Sequence, residues 1–317
     1  MINILANDGI SNSGVEVLEK HGFNVITTNV AQEQLENYIN KEDISVILVR
    51  SATTVRKELI DNCPRLKIIG RGGVGMDNID VDYAISKGIN VINTPAASSA
   101  SVAELVFAHL YGGVRFLHES NRSMPLEGDT NFKKLKKAFA KGNELRGKTI
   151  GIIGFGRIGR ETAKIAIGVG MNVIAYDKFI ENVDLKLEFM AGKSIDFNIK
   201  ISKFGDLLEN SDFISLHVPA QKKYVIDKAE FSKMKEGVGI INAARGGVIN
   251  EVELGLAIKS GKVAFAGLDT FENEPKPEIQ LLMNSKLSLT PHIGAATNEA
   301  QDRIGIELAN QIIETLD

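Results

Sequence analysis

At 317 residues the chain is long enough for about two domains, and 44% hydrophobic residues supply their cores without repeats or low-complexity segments. A formal net charge of −3 argues against nucleic acid or an anionic membrane as the main partner. No apolar stretch approaches the length of a bilayer span, and the first residues read as a strand rather than a signal peptide.

In chain order, short β-type runs are predicted at Ile2–Ala6, Asn24–Thr27, Val46–Val49, Lys67–Ile69 and Asn90–Ile92, with helical patterns between several of them. Such alternation assembles as parallel α/β structure. Cys63, beside Pro64, is the only cysteine. It is expected to be a small buried residue rather than a nucleophile, and a chain without an internal disulfide fits a reducing cytoplasm. The His residues are scattered, with no zinc-ligand spacing and hence no predicted metal. Ser99 to Leu117 reads as a long, largely apolar helix suited to a domain junction. The basic run Lys133-Lys-Leu-Lys-Lys137 reads first as the solvated face of a helix.

The most informative stretch follows. The apolar run Ile150–Ile153 leads into Gly154-Phe-Gly-Arg-Ile-Gly159, then a helical segment from Arg160 to Val169, then the strand-like Asn172–Asp177. This is the strand, turn, helix and strand of a dinucleotide-binding unit. Gly154 permits the tight turn, Gly156 lets the backbone approach a pyrophosphate, and Gly159 allows close helix–strand packing. A helix N-terminus offers unpaired N–H groups to the phosphates. Asp177, at the end of the second strand, suits the adenine ribose hydroxyls and repels a 2′-phosphate, so NAD is expected over NADP. Later apolar runs at Phe213–Leu216, Val238–Ile241, Val263–Leu268 and Leu287–Leu289 would complete a six-stranded sheet, before an amphipathic helix from Asn298 to Leu316. The expected division is a cofactor domain of residues 98–290 inserted into a substrate domain of residues 1–97 and 291–317, with paired crossovers forming a hinge.

Three loops after these late strands carry chemistry-bearing side chains, at strand ends where ligands bind in open α/β sheets. Arg245, in Asn242–Gly247, suits a carboxylate, or else caps the next helix. In Leu268–Pro275, Asp269 would serve equally as a turn-former, and Glu272 and Glu274 as surface acids. His292 follows the last strand and, by itself, is as easily a structural histidine as an acid/base. Together they offer the anchor, proton acceptor and tuning group that oxidation at C2 of a hydroxy acid requires. Arg50 and Arg71 each follow an early strand, where a guanidinium would meet an anionic substrate group or else make an ordinary surface ion pair.

These segments, with Arg50–Thr53, Gly70–Asp80, Asn93–Pro95, Ser101–Leu105 and Ser215–Pro219, make the chain resemble the D-2-hydroxyacid dehydrogenases nearly end to end, and within them the phosphoglycerate dehydrogenase branch. The resemblance implies two doubly wound parallel-sheet α/β domains, a Rossmann NAD-binding domain inserted into a flavodoxin-like substrate domain. It implies that His292 is the acid/base, Glu274 its partner and Arg245 the substrate clamp. The Val74-Gly75 backbone and Ser51 would meet the substrate, and Asp269 would lie near the nicotinamide carboxamide. Arg157, Ile158, His217, Pro219 and Ala243 join the glycines and Asp177 as cofactor positions. Lys137 would approach the substrate phosphate from a partner subunit, in a homodimer or tetramer.

Ser98, Thr54 and the segment after Pro219 depart from the family pattern and loosen the substrate assignment. The chain ends after the closing helix, so serine inhibition through a C-terminal regulatory domain is not expected. The activity expected is oxidation of 3-phosphoglycerate to 3-phosphohydroxypyruvate. A glyoxylate or hydroxypyruvate reductase, or an NAD-sensing binding protein, are the alternatives.

Overall fold

The computed structural model describes residues 2–316. The chain forms two compact units, residues 1–101 with 295–317 and residues 102–294. The second unit thus begins at Val102 and ends at Gly294, against the 98 and 290 expected. The first junction falls inside the helix Ser99–Val114, where no loop residues mark it in the sequence.

The first unit is built on strands β1 (Asn3–Ala6), β2 (Asn24–Ile26), β3 (Ile44–Val49), β4 (Ile68–Arg71) and β5 (Asn90–Asn93), all parallel in the order β2-β1-β3-β4-β5. Side chains alternate between two cores. Leu5, Ile47, Val49 and Ile69 pack with Leu35, Ile39, Leu59 and Ile60, and Cys63 is buried among them. Ile4, Ala6, Val46, Leu48 and Ile68 pack on the other face with Leu18, Ile304, Leu308 and Ile312. Burial on both faces explains why these strands are continuous apolar runs. The closing helix Asn298–Leu316 crosses helix Asn12–Lys20 so closely that a Cβ on Gly14 would lie 2.8 Å from the Gly305 backbone.

The second unit contains a six-stranded parallel sheet. Its strands are β6 (Thr149–Ile153), β7 (Asn172–Tyr176), β10 (Phe213–Leu216), β11 (Val238–Asn242), β12 (Val263–Leu268) and β13 (Leu287–Leu289), in the order β13-β12-β11-β10-β6-β7. The winding reverses between β6 and β10, the place where such sheets open a crevice for a ligand. Between β7 and β10 stands an element the sequence reading did not anticipate. Strands β8 (Asn182–Glu188) and β9 (Ser194–Lys200) form an antiparallel hairpin. Val183, Leu185 and Leu187 alternate inward and share a core with Ile158 and Ile165 of the helix Arg157–Gly168. The long apolar segment after Ser99 also breaks earlier than expected. Its helix ends at Val114, Phe116 takes a left-handed φ of 54°, and a second helix runs Leu117–Glu127.

Candidate active site

The second unit gathers most of the predicted residues on loops at the carboxyl ends of one sheet. After β6, Gly154 adopts a φ of +91°, and a Cβ there would lie 2.4 Å from the His217 carbonyl oxygen. A Cβ on Gly159 would lie 2.2 Å from the Gly154 oxygen, so this glycine sets the approach of helix to strand. A Cβ on Gly156 meets nothing within 4 Å. The backbone there faces open space at the cap of a 12-residue helix that starts at Arg157, three residues earlier than the Arg160 expected. Arg157 is exposed and Ile158 half-buried in its first turn. Asp177 follows β7, and its Oδ2 accepts the Phe155 N–H (2.8 Å) while Oδ1 accepts that of Phe179 (2.9 Å). The carboxylate therefore lies against the glycine loop with lone pairs left to accept ribose hydroxyls. Open space over Gly156, a helix N-terminus and an adjacent acid fit the pyrophosphate and ribose of NAD.

After β10 comes His217, whose Nε2 lies 2.9 Å from Ser215 Oγ and 3.2 Å from Thr162 Oγ1. Its Nδ1 is buried without a protein partner, and burial pushes the imidazole down to about 3. Pro219 is exposed and Ala243 buried.

The loops after β11, β12 and β13 bring Arg245, Glu274 and His292 together. His292 Nδ1 is 2.8 Å from Glu274 Oε2, and Glu274 Oε1 accepts the Phe271 N–H at 2.9 Å. Partial burial works to raise the Glu274 carboxyl. The His292 hydrogen bond, the Phe271 N–H and the charges of His292 and Arg245 outweigh it and hold the carboxyl below the ordinary range. Arg245 Nη1 donates to the Ala244 carbonyl (2.7 Å), and Asn242 Nδ2 holds the Arg245 carbonyl (2.9 Å). A Cβ on Gly246 would lie 1.8 Å from the Phe271 oxygen, so only glycine lets these two loops meet. Asp269 accepts from the backbone of Ile293 and Gly294, both at 2.8 Å. Glu272, expected as a solvated charge, instead accepts the Glu251 N–H (3.0 Å) at the start of helix Glu251–Ser260.

In the first unit, Arg50 lies just past β3 and its guanidinium makes no hydrogen bond or ion pair among the described residues. Its N–H and those of its loop are held by Asp8, which accepts from Arg50 (2.6 Å) and Thr53 (3.0 Å), while Asn78 Nδ2 donates to the Arg50 carbonyl (2.8 Å). Asp8 and Asn78 escaped the sequence reading because they are brought to this loop only by folding. Arg71 is the last residue of β4 rather than one following it, and its Nη1 donates to the Gly72 carbonyl at 2.9 Å. Ser51 and Val74 are exposed and Gly75 half-buried, with Asn93 Nδ2 holding the Val74 carbonyl at 2.8 Å. Lys137 is exposed on helix Phe132–Ala138.

Residues 107–294 match the family model described as "D-isomer specific 2-hydroxyacid dehydrogenase, NAD binding domain". The chain belongs to this family. The matched NAD-binding domain makes it an NAD-dependent oxidoreductase, and the curated relatives are named as a reductase and as dehydrogenases. The chain is 42% identical over 316 residues to a hydroxypyruvate reductase of Thermotoga maritima, covering 98% of this chain and 97% of that one. It is 40% identical over 316 residues to a D-3-phosphoglycerate dehydrogenase of Archaeoglobus fulgidus, covering 98% of this chain but only 57% of the relative. A glyoxylate reductase from Paecilomyes thermophila matches the fold with a TM-score of 0.82 and 29% identity, over 100% of this chain and 95% of that one. Among the described residues no helix is long and apolar enough to cross a membrane, and no acidic, His or Cys cluster could hold a metal.

Proposed function

We propose that the chain oxidises the C2 hydroxyl of 3-phosphoglycerate, with His292 as the acid/base. The observation that carries the chemistry is the 2.8 Å contact of His292 Nδ1 with Glu274. An ionised carboxylate only accepts hydrogen bonds, so Nδ1 carries the proton and Nε2 keeps its lone pair in the neutral ring. Nε2 then takes the C2 hydroxyl proton, and Glu274 stabilises the imidazolium that results. Arg245 orients the substrate carboxylate and polarises the C2 oxygen. Bound NAD supplies the hydride acceptor. The Gly154–Gly159 loop and the following helix hold its pyrophosphate, Asp177 its ribose, and Asp269, with a lone pair left on Oδ2, its carboxamide.

The phosphate assignment rests on the unpaired Arg50 guanidinium at the end of β3, whose fork matches phosphate oxygens. Arg71, already donating to its own loop, supports this less directly. The Val74-Gly75 backbone is assigned to the substrate carboxylate by family resemblance. A homodimer belongs to this reading, with Lys137 of a second copy as a further phosphate contact; a monomeric mass in solution removes that contribution. The second reading, reduction of hydroxypyruvate, is favoured by the Thermotoga relative and differs only at the C3 substituent.

The acid/base assignment is tested with His292→Asn. Turnover should fall by ~10²- to 10⁴-fold, the range for losing a general acid/base, with NAD affinity retained. Turnover near that of the unsubstituted protein would remove His292 from the chemistry.

A further inference from the structure

His109 lies in helix Ser99–Val114 with 3% of its surface exposed, and the chemistry above makes no use of it. Both ring nitrogens are nonetheless engaged. Nδ1 is 2.8 Å from Ser288 Oγ, and Nε2 is 3.1 Å from Thr290 Oγ1. Thr290 Oγ1 is in turn 2.6 Å from Asp269 Oδ1. Because a carboxylate only accepts, Thr290 donates to Asp269. The Thr290 oxygen then accepts from His109 Nε2–H, and in the neutral ring Nδ1 accepts from the Ser288 hydroxyl. Every proton in the chain Ser288, His109, Thr290, Asp269 is thereby assigned in one direction. Burial lowers the basicity of His109 against the pull of Asp269, in keeping with a neutral ring. The sheet makes room for it: a Cβ on Gly267 of β12 would lie 2.6 Å from His109 Cβ.

At its far end this chain reaches the acid/base loop. Asp269 is 1% exposed and takes the N–H groups of Ile293 and Gly294, each at 2.8 Å. These are the two peptides after His292, which has a φ of +54°. A left-handed backbone is unfavourable for a non-glycine residue and persists only where its surroundings hold it. Three donors fix the Asp269 carboxylate, and the orientation of the Thr290 donor depends on His109.

We propose that His109 is a positioning residue for the reaction: through Thr290 it fixes Asp269, and through Asp269 it fixes the backbone that aims His292. The proposal rests on His292 being the acid/base.

The test separates the two histidine nitrogens. In His109→Gln the side-chain amide reaches the place of Nε2 and still donates to Thr290; in His109→Asn it reaches only the place of Nδ1. Both exchange one buried imidazole for one amide, so a merely structural role predicts equal losses. The expected result is turnover within about threefold of the unsubstituted protein for His109→Gln and at least tenfold lower for His109→Asn, at similar melting temperature and unchanged NAD affinity. If His109→Asn does not fold, Thr290→Ser and Thr290→Val make the same comparison. Serine keeps the donor to Asp269 and valine removes it, so turnover should survive in the first and fall in the second. Equal turnover within the pair measured, or losses that follow melting temperature alone, would overturn the proposal. His292→Asn measured in parallel keeps the two readings apart, because activity retained there removes the acid/base assignment instead.

Discussion

Substituting the glycines of the loop after β6 should separate cofactor binding from folding. At Gly156 the backbone is extended, with φ −73° and ψ −159°, and an added Cβ meets no protein atom within 4 Å. Gly156→Ala should therefore cost the fold nothing, and the lost chain entropy of the unfolded state should favour folding by ~0.4–1 kcal/mol. The added methyl stands where the pyrophosphate must approach the backbone. Losing one charge-assisted contact costs ~1.5–3 kcal/mol, or a ~10- to 100-fold weaker NAD dissociation constant. Gly159→Ala is the contrast. Its Cβ would lie 2.2 Å from the Gly154 oxygen, a backbone atom, and 3.2 Å from Ile152 Cγ2. Such crowding costs ~1–3 kcal/mol, which lowers the melting temperature by several degrees, at ~2–4 °C per kcal/mol for a domain of this size. Thermal melts and calorimetric NAD titrations of both variants decide the matter. Unweakened NAD binding in Gly156→Ala, or a melting temperature that falls as far as that of Gly159→Ala, would refute the assignment of open space at Gly156 to the cofactor.

Asp177→Ala should raise the ratio of NADP to NAD use and also weaken NAD itself, because the variant loses the acceptor that anchors Phe155 N–H as well as the ribose contact. An unsubstituted protein that already uses both cofactors equally would contradict this placement of the carboxylate. Glu274 has its carboxyl held below the ordinary value of 4.5, so its contribution to stability is present above that pH and fades as pH falls through the folded-state value. The difference in denaturation midpoint between the unsubstituted protein and Glu274→Gln should accordingly be largest near neutrality and shrink in acid; a constant difference would deny the pairing with His292.

What the sequence made legible follows from the range over which each signal acts. Strands largely buried on both faces, such as β10 and β12, are nearly continuous apolar runs, and they lie where those runs predicted. The β8–β9 hairpin went unread because it is one-sided: Val183, Leu185 and Leu187 alternate with Asp184, Lys186 and Glu188, and Ile195, Phe197 and Ile199 with Asp196 and Asn198, so neither strand is the continuous apolar run that marks the buried sheets. The glycine loop is a local feature and could be placed residue by residue. Arg245, Glu274 and His292 come from three separated loops; their grouping was anticipated from the strand ends they follow, and their individual roles through the family resemblance. Nothing in the sequence tied Asp8, Asn78 or His109 to the groups they bind. Their partners lie 42, 28 and up to 181 residues away, and one buried histidine in an apolar helix looks like any other until the fold places Thr290 beside it.

Reduction of 3-phosphohydroxypyruvate and of hydroxypyruvate with NADH, measured side by side in the unsubstituted protein and in Arg50→Ala, tests the proposed substrate most directly. The two keto acids differ only in the phosphate. The expected result is a preference for the phosphorylated one and a rise of ~10-fold or more in its KM in Arg50→Ala, the equivalent of one charge-assisted contact, with hydroxypyruvate kinetics nearly unchanged. Indifference to the phosphate in the unsubstituted protein would contradict it and leave a hydroxypyruvate reductase, and equal losses on both substrates would give Arg50 to the fold or to the shared carboxylate.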